Sequence, residues 1–199
     1  MAKFIFDLDG TITQEETLPL ISRNFNVQNE IDSLTDETIK GNIPFIESFI
    51  RRVYILGKLP VSEIADLLEN VKLYESVIDF IIQHRDDCSI ATGNLSCWIE
   101  KLNRRIGCTC YCSDAVVRDN KVDKLTKILR KEEIVKKYQL EGNRVVFIGD
   151  GNNDLEAMRL ADVAVASGLT HPPASSILSV ADYLVYDEVA LCRLLNQLL

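Results

Sequence analysis

The first residues that could do chemistry are two aspartates, Asp7 and Asp9, which follow an apolar run near the amino terminus. If a strand continues through them, they face the same side, because side chains alternate along a strand. Gly10 comes directly afterwards, and Asp-Gly is a common turn dipeptide. A turn needs only one aspartate, however, and Gly10 comes too early for an EF-hand calcium loop. The pair therefore indicates two carboxylates at a strand end.

A second acidic strand end occurs far along the chain, where Asp150 follows the apolar run 145–148 and Asp154 comes one helical turn later. Leu155 stands where an EF-hand loop needs glycine. The carboxyl ends of parallel strands meet at one edge of a sheet, so the two acidic groups would repel each other unless a cation lies between them. Ligands that are all oxygen, without His or Cys, predict Mg²⁺.

A third apolar run ends in Thr92 and Gly93. Threonine is common at strand ends, so this signal is weak alone. Beside a metal and carboxylates, a hydroxyl and free backbone N–H groups suit a phosphate oxygen.

These strand ends need a sheet that brings them together. Short apolar runs alternate with helical patterns, which predicts a Rossmann-like α/β fold with a parallel sheet and helices on both faces. The predicted strands are 3–9, 88–93, 144–150, 162–166 and 182–187, and the predicted core helices are 96–106, 153–161 and 188–198. A hairpin is predicted at 116–125, with its turn at Asp119 and Asn120.

The segment 14–86 shows helical patterns and no convincing strand. A helical block between the first and second core strands predicts an all-helical cap at 14–86, inserted into a core made of 1–13 and 87–199. Because the active sites of open α/β sheets lie at the carboxyl ends of the strands, this cap would cover the site.

The composition limits the partners. The 199 residues are 47% hydrophobic, and 22 basic against 30 acidic residues give a net charge of −8, which argues against a nucleic acid or an anionic membrane as partner. No apolar run reaches the ~18–20 residues of a membrane span, and Asp7 interrupts the first run, so we expect no signal peptide and a cytoplasmic protein. The alternating Cys108, Cys110 and Cys112 lack zinc-site spacing, which favours buried, reduced thiols.

The motifs FDLDGT, ATGN and GDGNND, in this order, resemble those of the haloacid dehalogenase superfamily of aspartate-nucleophile phosphatases. More closely, the chain is similar to the phosphoserine phosphatases and their immediate relatives, and the similarity extends to KGNIPFIESFIRRVYILGKLP and KEEIVKKY. Motif matches are hypotheses about function. This one implies a Mg²⁺-dependent phosphomonoesterase that forms an aspartyl-phosphate.

The resemblance implies roles for the acidic residues. Asp7 would attack phosphorus, and Asp9 would protonate the leaving alkoxide and then deprotonate a water. Mg²⁺ would be held by Asp7, the Asp9 carbonyl and Asp150, and would offset the repulsion between nucleophile and phosphate. Asp154 would bind the metal directly or through water, and Asn153 would orient Asp154.

A lysine beside the phosphate is also expected in this superfamily. Matching KEEIVKKY to the lysine-led helix of the family selects Lys131, and Lys127 is the alternative. Lys131 and Thr92 would act on the phosphate, while Gly93 and Asn94 would line the substrate site.

In the cap, Phe45, Phe49 and Arg52 lie within a narrow arc of a predicted helix. An arginine on such a face can simply extend to solvent, but the resemblance implies that Phe45, Arg52 and Glu16 contact the substrate. Arg52 would pair with a carboxylate and Glu16 with an ammonium group, which fits an amino acid.

One departure concerns Asn94, since relatives that hydrolyse phosphoserine usually carry a second glycine there. O-phospho-L-serine is still the predicted substrate, and a keto-sugar phosphate of methionine salvage or another small phosphoester is the alternative. A receiver-like phosphoacceptor and a non-catalytic phosphate-binding protein are alternatives from other classes. The expected partner is a small phosphorylated metabolite, and the expected state is a monomer or homodimer.

Overall fold

The apolar runs form one sheet in the computed structural model, which describes residues 1–39 and 42–199. Five further side chains lie outside the described part, namely those of Thr35, Asp36, Thr38, Ile39 and Phe45. The strands are β1 Ala2–Phe6, β2 Cys88–Leu95, β3 Thr109–Arg118, β4 Lys121–Lys127, β5 Arg144–Gly149, β6 Val163–Ser167 and β7 Tyr183–Val185. They are ordered β4-β3-β2-β1-β5-β6-β7, with β1 in the centre, paired in parallel to β2 and β5.

The predicted hairpin forms the antiparallel edge of this sheet. Strand β4 pairs antiparallel to β3, with Arg118 opposite Lys121. The two turn residues, Asp119 and Asn120, have positive φ values of 48° and 60°, as a two-residue type I′ turn requires. The other neighbouring strands in the order pair in parallel.

Helices pack on both faces of the sheet. In chain order, the α-helices of the described residues are α1 Thr17–Asn24, α2 Gln28–Ile39, α3 Phe45–Leu56, α4 Val61–Glu69, α5 Glu75–Gln83, α6 Ser96–Ile106, α7 Lys131–Leu140, α8 Leu155–Leu160, α9 Ser175–Leu178 and α10 Glu188–Leu198. Phe4 and Phe6 of β1 belong to one buried cluster and Ile5 to another, because successive side chains of a strand point to opposite faces. The predicted α/β class, a parallel sheet covered on both faces, is therefore confirmed.

The helices α1 to α5 all lie between β1 and β2 in the chain. A bridge between Thr13 and Leu73 joins the connection from β1 to α1 with the connection from α4 to α5. Helix α5, however, packs on the sheet, where the ring of Phe80 meets that of Phe4 edge-on at 5.3 Å. The division into a core and a cap at 14–86 remains a proposal, and we propose that α5 be counted with the core because of this packing.

The cysteines are all free thiols. Cys108 is buried and precedes β3, whereas Cys110 and Cys112 lie on that strand and are only partly buried. Among the described residues, no helix combines the length and the apolar composition needed to cross a membrane.

Candidate active site

A cavity of about 320 Å³ opens at the carboxyl ends of β1, β2 and β5. The helices α1 and α3 close it from above through Leu18, Pro19, Phe49 and Arg52. The charged and amide side chains that line it are those of Asp7, Asp9, Glu16, Arg52, Asn94, Asp150, Asn152, Asn153 and His171. The site therefore lies where parallel α/β sheets place their ligands.

Strand β1 ends at Phe6, before both aspartates, so the prediction of a strand through residue 9 is wrong. Asp7 is still anchored to the sheet, since its backbone N–H donates to the Ile148 carbonyl at 2.8 Å. The following segment, from Leu8 on, turns, and the positive φ of Gly10 (70°) belongs to this turn. Asp7 and Asp9 both line the cavity because of this turn rather than because of strand alternation.

Asp7 is 4% exposed, and its Oδ1 accepts hydrogen bonds from the Leu8 backbone N–H at 2.7 Å and from Lys131 Nζ at 2.7 Å. Burial raises the pKa of Asp7 well above its usual range, and Asp154 adds to this, whereas Lys131 opposes it. Within residues 1–39 and 42–199, no hydrogen bond reaches Oδ2 of Asp7. That oxygen is available to a reacting group.

Lys131 begins α7 and is 4% exposed. Its Nζ lies 2.7 Å from Asp7 Oδ1 and 2.6 Å from Asp154 Oδ1. Burial lowers the pKa of Lys131, but the two carboxylates outweigh this effect, so the net shift is upward and the group stays charged. The alternative, Lys127, is an exposed residue of β4. The structure thus brings Lys131, not Lys127, to the aspartates.

Asp154 is fully buried and is held by backbone groups, since its Oδ2 accepts from the N–H of Asp150 at 3.1 Å and of Gly151 at 3.0 Å. Gly149 makes room for it, because a Cβ there would lie 2.5 Å from Asp154 Cγ. Asn153 lines the cavity but makes no hydrogen bond to Asp154 among the described residues. Backbone N–H groups therefore hold Asp154 in this structure, and the orienting role of Asn153 stays a prediction.

Asp7, Asp150 and Asp154 form a cluster that suits a divalent cation. Their carboxylate oxygens lie within 4.8 Å of one another, and all three residues are buried. Lys131 contacts this cluster as a buried cation, and the half-buried His171 lies 3.2 Å from Asp150. Burial raises the pKa of Asp150 as well as that of Asp7. The three carboxylates thus outnumber the two cationic side chains in contact with them, and their all-oxygen donor set fits Mg²⁺.

Asp9 is held at both carboxylate oxygens. Its Oδ1 accepts from the backbone N–H and the hydroxyl of Thr17, the former at 2.9 Å, and its Oδ2 accepts from Asn94 Nδ2 at 2.8 Å. Burial first and the nearby Glu16 second raise the pKa of Asp9 to about 6, although the Thr17 hydrogen bonds lower it. A carboxyl group with such a pKa can exchange a proton near neutral pH.

His171 is a site residue that the sequence prediction missed. It follows β6, and its Nε2 lies 2.9 Å from Glu16 Oε1 and 3.2 Å from Asp150 Oδ2. These two carboxylates raise the pKa of His171 to about 11. One signal was available, because the chain has only two histidines and this one lies shortly after a predicted strand end.

Arg52 and Glu16 face the same cavity with opposite charges. Arg52 donates to Ser48 Oγ at 3.1 Å, and burial lowers its pKa while Glu16 raises it. The side chain of Phe45, the third predicted substrate contact of the cap, lies outside the described residues. Phe49, one turn further along α3, lines the cavity.

The end of β2 contributes Gly93 and Asn94 to the cavity wall. Thr92 is fully buried, and its Oγ1 accepts from the Asn94 backbone N–H at 3.1 Å, so its predicted contact with phosphate remains a prediction. A Cβ added at Gly93 would lie 3.9 Å from the ring of Phe49, an ordinary contact.

Comparisons with known proteins agree with this geometry. A model of the haloacid dehalogenase-like hydrolases matches residues 2–162. The chain is 25% identical over 175 residues to the phosphoserine phosphatase of Methanocaldococcus jannaschii, covering 81% of this chain and 83% of that protein. It is 24% identical over 175 residues to that of Archaeoglobus fulgidus, covering 81% of this chain but only 51% of that longer protein.

Two solved structures share the fold. A haloacid dehalogenase family hydrolase of Salmonella enterica serovar Typhi superimposes with a TM-score of 0.83 at 19% identity, over 96% of this chain and 70% of that one. A substrate-bound phosphoserine phosphatase superimposes with a TM-score of 0.79 at 22% identity, over 94% of each chain.

Proposed function

The chain belongs to the haloacid dehalogenase-like hydrolases and is a phosphatase, and from this premise we propose that it hydrolyses O-phospho-L-serine to serine and inorganic phosphate. Relatives that are named phosphoserine phosphatases support the substrate. The observation that carries the proposal is a pair of opposite charges, Arg52 and Glu16, in the cavity that also contains Asp7 and Asp9.

The charge pair fits the two ends of an amino acid. The Arg52 guanidinium can form a bidentate pair with a carboxylate. Glu16 can bind an ammonium group, because its Oε1 accepts from His171 and no hydrogen bond within the described residues reaches its Oε2. A substrate held in this way by its carboxylate and ammonium groups presents its phosphate to Asp7.

In the first proposed step, an oxygen of Asp7 forms a bond to phosphorus as the bond from phosphorus to the serine oxygen breaks. The electron pair of the broken bond stays on the serine oxygen, which takes the proton of Asp9. Lys131 Nζ, 2.7 Å from Asp7 Oδ1, orients the nucleophile and attracts the phosphate. The products of this step are serine and an aspartyl-phosphate at Asp7.

In the second step, Asp9, now a carboxylate, takes a proton from water while the water oxygen bonds to phosphorus. The bond between phosphorus and Asp7 breaks, which restores the Asp7 carboxylate and releases inorganic phosphate. A pKa of about 6 for Asp9 suits both directions of proton transfer near neutral pH.

We propose Mg²⁺ as the cofactor, held by Asp7, Asp150 and Asp154 together with the Asp9 carbonyl. The donor cluster of three buried carboxylates supports this choice. When bound, the ion supplies charge that lets an anionic nucleophile approach an anionic phosphate.

The test of the function is phosphate release from a panel of small phosphoesters with Mg²⁺ or with EDTA. We expect phosphoserine to have the highest kcat/KM and EDTA to abolish turnover. A higher kcat/KM for a keto-sugar phosphate would transfer the proposal to that substrate class. Absence of turnover for every phosphoester would contradict it.

Asp7→Asn tests the assignment of Asp7 as the nucleophile. The variant should abolish turnover while the circular dichroism spectrum stays unchanged, and retained activity would refute this assignment.

Substrate selectivity is tested with Arg52→Ala. A charge-assisted hydrogen bond contributes about 1.5–3 kcal/mol, so KM for phosphoserine should rise by roughly 10- to 150-fold. KM for phosphoethanolamine, which lacks the carboxylate, should change little. The control is Arg51→Ala, because Arg51 is exposed and pairs with Glu47 outside the cavity. An equal rise in KM for both substrates would show that Arg52 does not recognise the substrate carboxylate.

The remaining parts of the proposal concern the cellular location, the oligomeric state and the binding partners. We propose a cytoplasmic location, which the six free thiols support. We also propose a monomer or homodimer that acts on a small metabolite, without a nucleic-acid or membrane partner, in keeping with the net charge of −8.

A further inference from the structure

The side chain of Asn94 reaches across the cavity to Asp9, a contact to which the mechanism above gives no purpose. We propose that Asn94 is a positioning residue, which holds the Asp9 carboxyl group where it can exchange a proton with the leaving oxygen and with water. The inference rests on the proposed function, because it takes Asp9 as the proton donor and acceptor.

The contacts of Asn94 fix Asp9 from a second side. Asn94 Nδ2 lies 2.8 Å from Asp9 Oδ2 and 2.8 Å from Thr17 Oγ1. Thr17 in turn donates to Asp9 Oδ1 through its backbone N–H and its hydroxyl. Both carboxylate oxygens are therefore held, one by the start of α1 and the other by the end of β2.

Burial makes this arrangement rigid. Asn94 is 3% exposed and Thr17 is fully buried. Without the Asn94 amide, Thr17 alone would hold Asp9, and the carboxyl group could turn about the bond to its Cβ. A displacement of even about 1 Å at a reacting group can cost roughly 10²-fold in rate.

The backbone does not account for an asparagine at this position. Non-glycine residues with positive φ in the described chain are Asn26, Asp119 and Asn120, so Asn94 occupies an ordinary conformation within β2. Either glycine or asparagine can adopt that backbone. Asparagine at this position therefore differs from glycine through its side chain and not through its backbone conformation.

That side chain also carries a stability cost. The Oδ1 of Asn94 is buried and has no hydrogen-bond partner among the described residues. A buried acceptor without a partner costs stability, so packing alone is a poor explanation for the amide. A role at the adjacent Asp9 explains why this position holds a polar side chain.

The proposal predicts a specific kinetic pattern, because leaving groups differ in their need for a proton. The serine alkoxide leaves only when it is protonated, whereas p-nitrophenolate is stable as an anion. The attack of Asp7 on p-nitrophenyl phosphate therefore does not need Asp9, but the later hydrolysis of the aspartyl-phosphate does. Losing the Asn94 contact should slow only those steps in which Asp9 moves a proton.

The experiment compares the full chain with Asn94→Gly and Asn94→Asp in the presence of Mg²⁺. Three rates are measured: phosphoserine turnover, single-turnover release of p-nitrophenolate with enzyme in excess, and steady-state release of p-nitrophenolate. Asn94→Asp keeps the shape of the side chain but has no N–H group to donate to Asp9. The control is Asn70→Gly, at the exposed C-terminal cap of α4, where glycine is tolerated.

For Asn94→Gly we expect phosphoserine kcat to fall by roughly 10- to 100-fold, part of the 10²–10⁴-fold that a positioned acid or base contributes. The single-turnover release should stay within about threefold of the wild-type rate, since that step needs no proton from Asp9. Steady-state release should slow because the hydrolysis of the aspartyl-phosphate limits it. Asn94→Asp should lose at least as much phosphoserine turnover, and Asn70→Gly should change none of the three rates.

Several results would overturn the inference. A single-turnover rate that falls as much as phosphoserine turnover would mean that Asn94 shapes the site of attack instead. Full phosphoserine turnover by either Asn94 variant would show that Asp9 does not need the amide. If the wild-type chain hydrolyses neither ester, the proposed function itself fails, and the inference fails with it. Thermal unfolding of each variant verifies that it is folded.

Discussion

Replacement of Lys131 by methionine tests the electrostatics of the site most directly. The substitution keeps most of the side-chain volume but removes the cation from between Asp7 and Asp154, whose oxygens lie 2.7 and 2.6 Å from Nζ. Charges about 3 Å apart interact by roughly 5–6 kcal/mol at an effective dielectric constant near 20, and burial of the lysine offsets much of this. Removing one partner of a buried ion pair costs about 3–5 kcal/mol.

We therefore expect Lys131→Met to lower the free energy of unfolding by about 3–5 kcal/mol in EDTA at pH 8. For a chain of 199 residues, where 1 kcal/mol shifts Tm by about 2–4 °C, the Tm should fall by roughly 6–20 °C. The loss should be smaller at pH 5, because Asp7, whose pKa is already raised, can then take up a proton. The measurement is thermal and urea unfolding followed by circular dichroism.

Mg²⁺ should restore part of the lost stability, since a cation in the carboxylate cluster replaces some of the missing positive charge. An ion at 100 times its Kd stabilises the folded state by about 2.7 kcal/mol. Lys127→Met is the matched control, because this lysine is exposed on β4 and should cost less than about 0.5 kcal/mol. Equal effects of the two substitutions in EDTA would refute the reasoning about the buried charges.

Two further predictions use other parts of the site. Gly10→Ala should destabilise more than Gly142→Ala, since both have positive φ but only the Cβ at Gly10 would meet Asp150 Oδ2, at 2.9 Å; equal losses in urea unfolding would remove the steric argument. In metal-free protein, the imidazole of His171 should remain protonated at pH 8 in an NMR titration, because its folded pKa of about 11 exceeds the ordinary 6.5. Its contribution to stability should accordingly be full below pH 6.5 and be lost as the pH rises toward 11, and a titration midpoint near 6.5 would contradict the ion pairs with Glu16 and Asp150.

Much of the architecture could be predicted from local patterns. The apolar runs at 88–93 and 144–150 became β2 and β5, and the hairpin turn formed at Asp119 and Asn120. These predictions succeeded because alternation, run length and turn residues act over a few neighbouring positions. The extent of β1 was mispredicted, since apolar and acidic residues alternate beyond Phe6 although the chain has already turned there.

The site could be predicted less completely. The acidic motifs led to Asp7, Asp9 and Asp150, and the resemblance of KEEIVKKY to the lysine-led helix of the family led to Lys131. The structure places these residues in or beside one cavity. His171 was missed because its contact with Glu16 joins residues 155 positions apart. Asn153 was expected to orient Asp154, and the hydrogen bonds that hold Asp154 come from the backbone of Asp150 and Gly151.

The sequence by itself determined the fold class and the kinds of chemical group available at the strand ends, since these follow from residue types and their periodicity. Only the tertiary structure decided which side chains form hydrogen bonds with one another. Asn94 and Asp9 lie 85 positions apart, and their hydrogen bond depends on how β2 packs beside β1 and on where the turn after β1 directs a carboxylate. No local pattern encodes such a contact, because it results from the packing of the whole sheet.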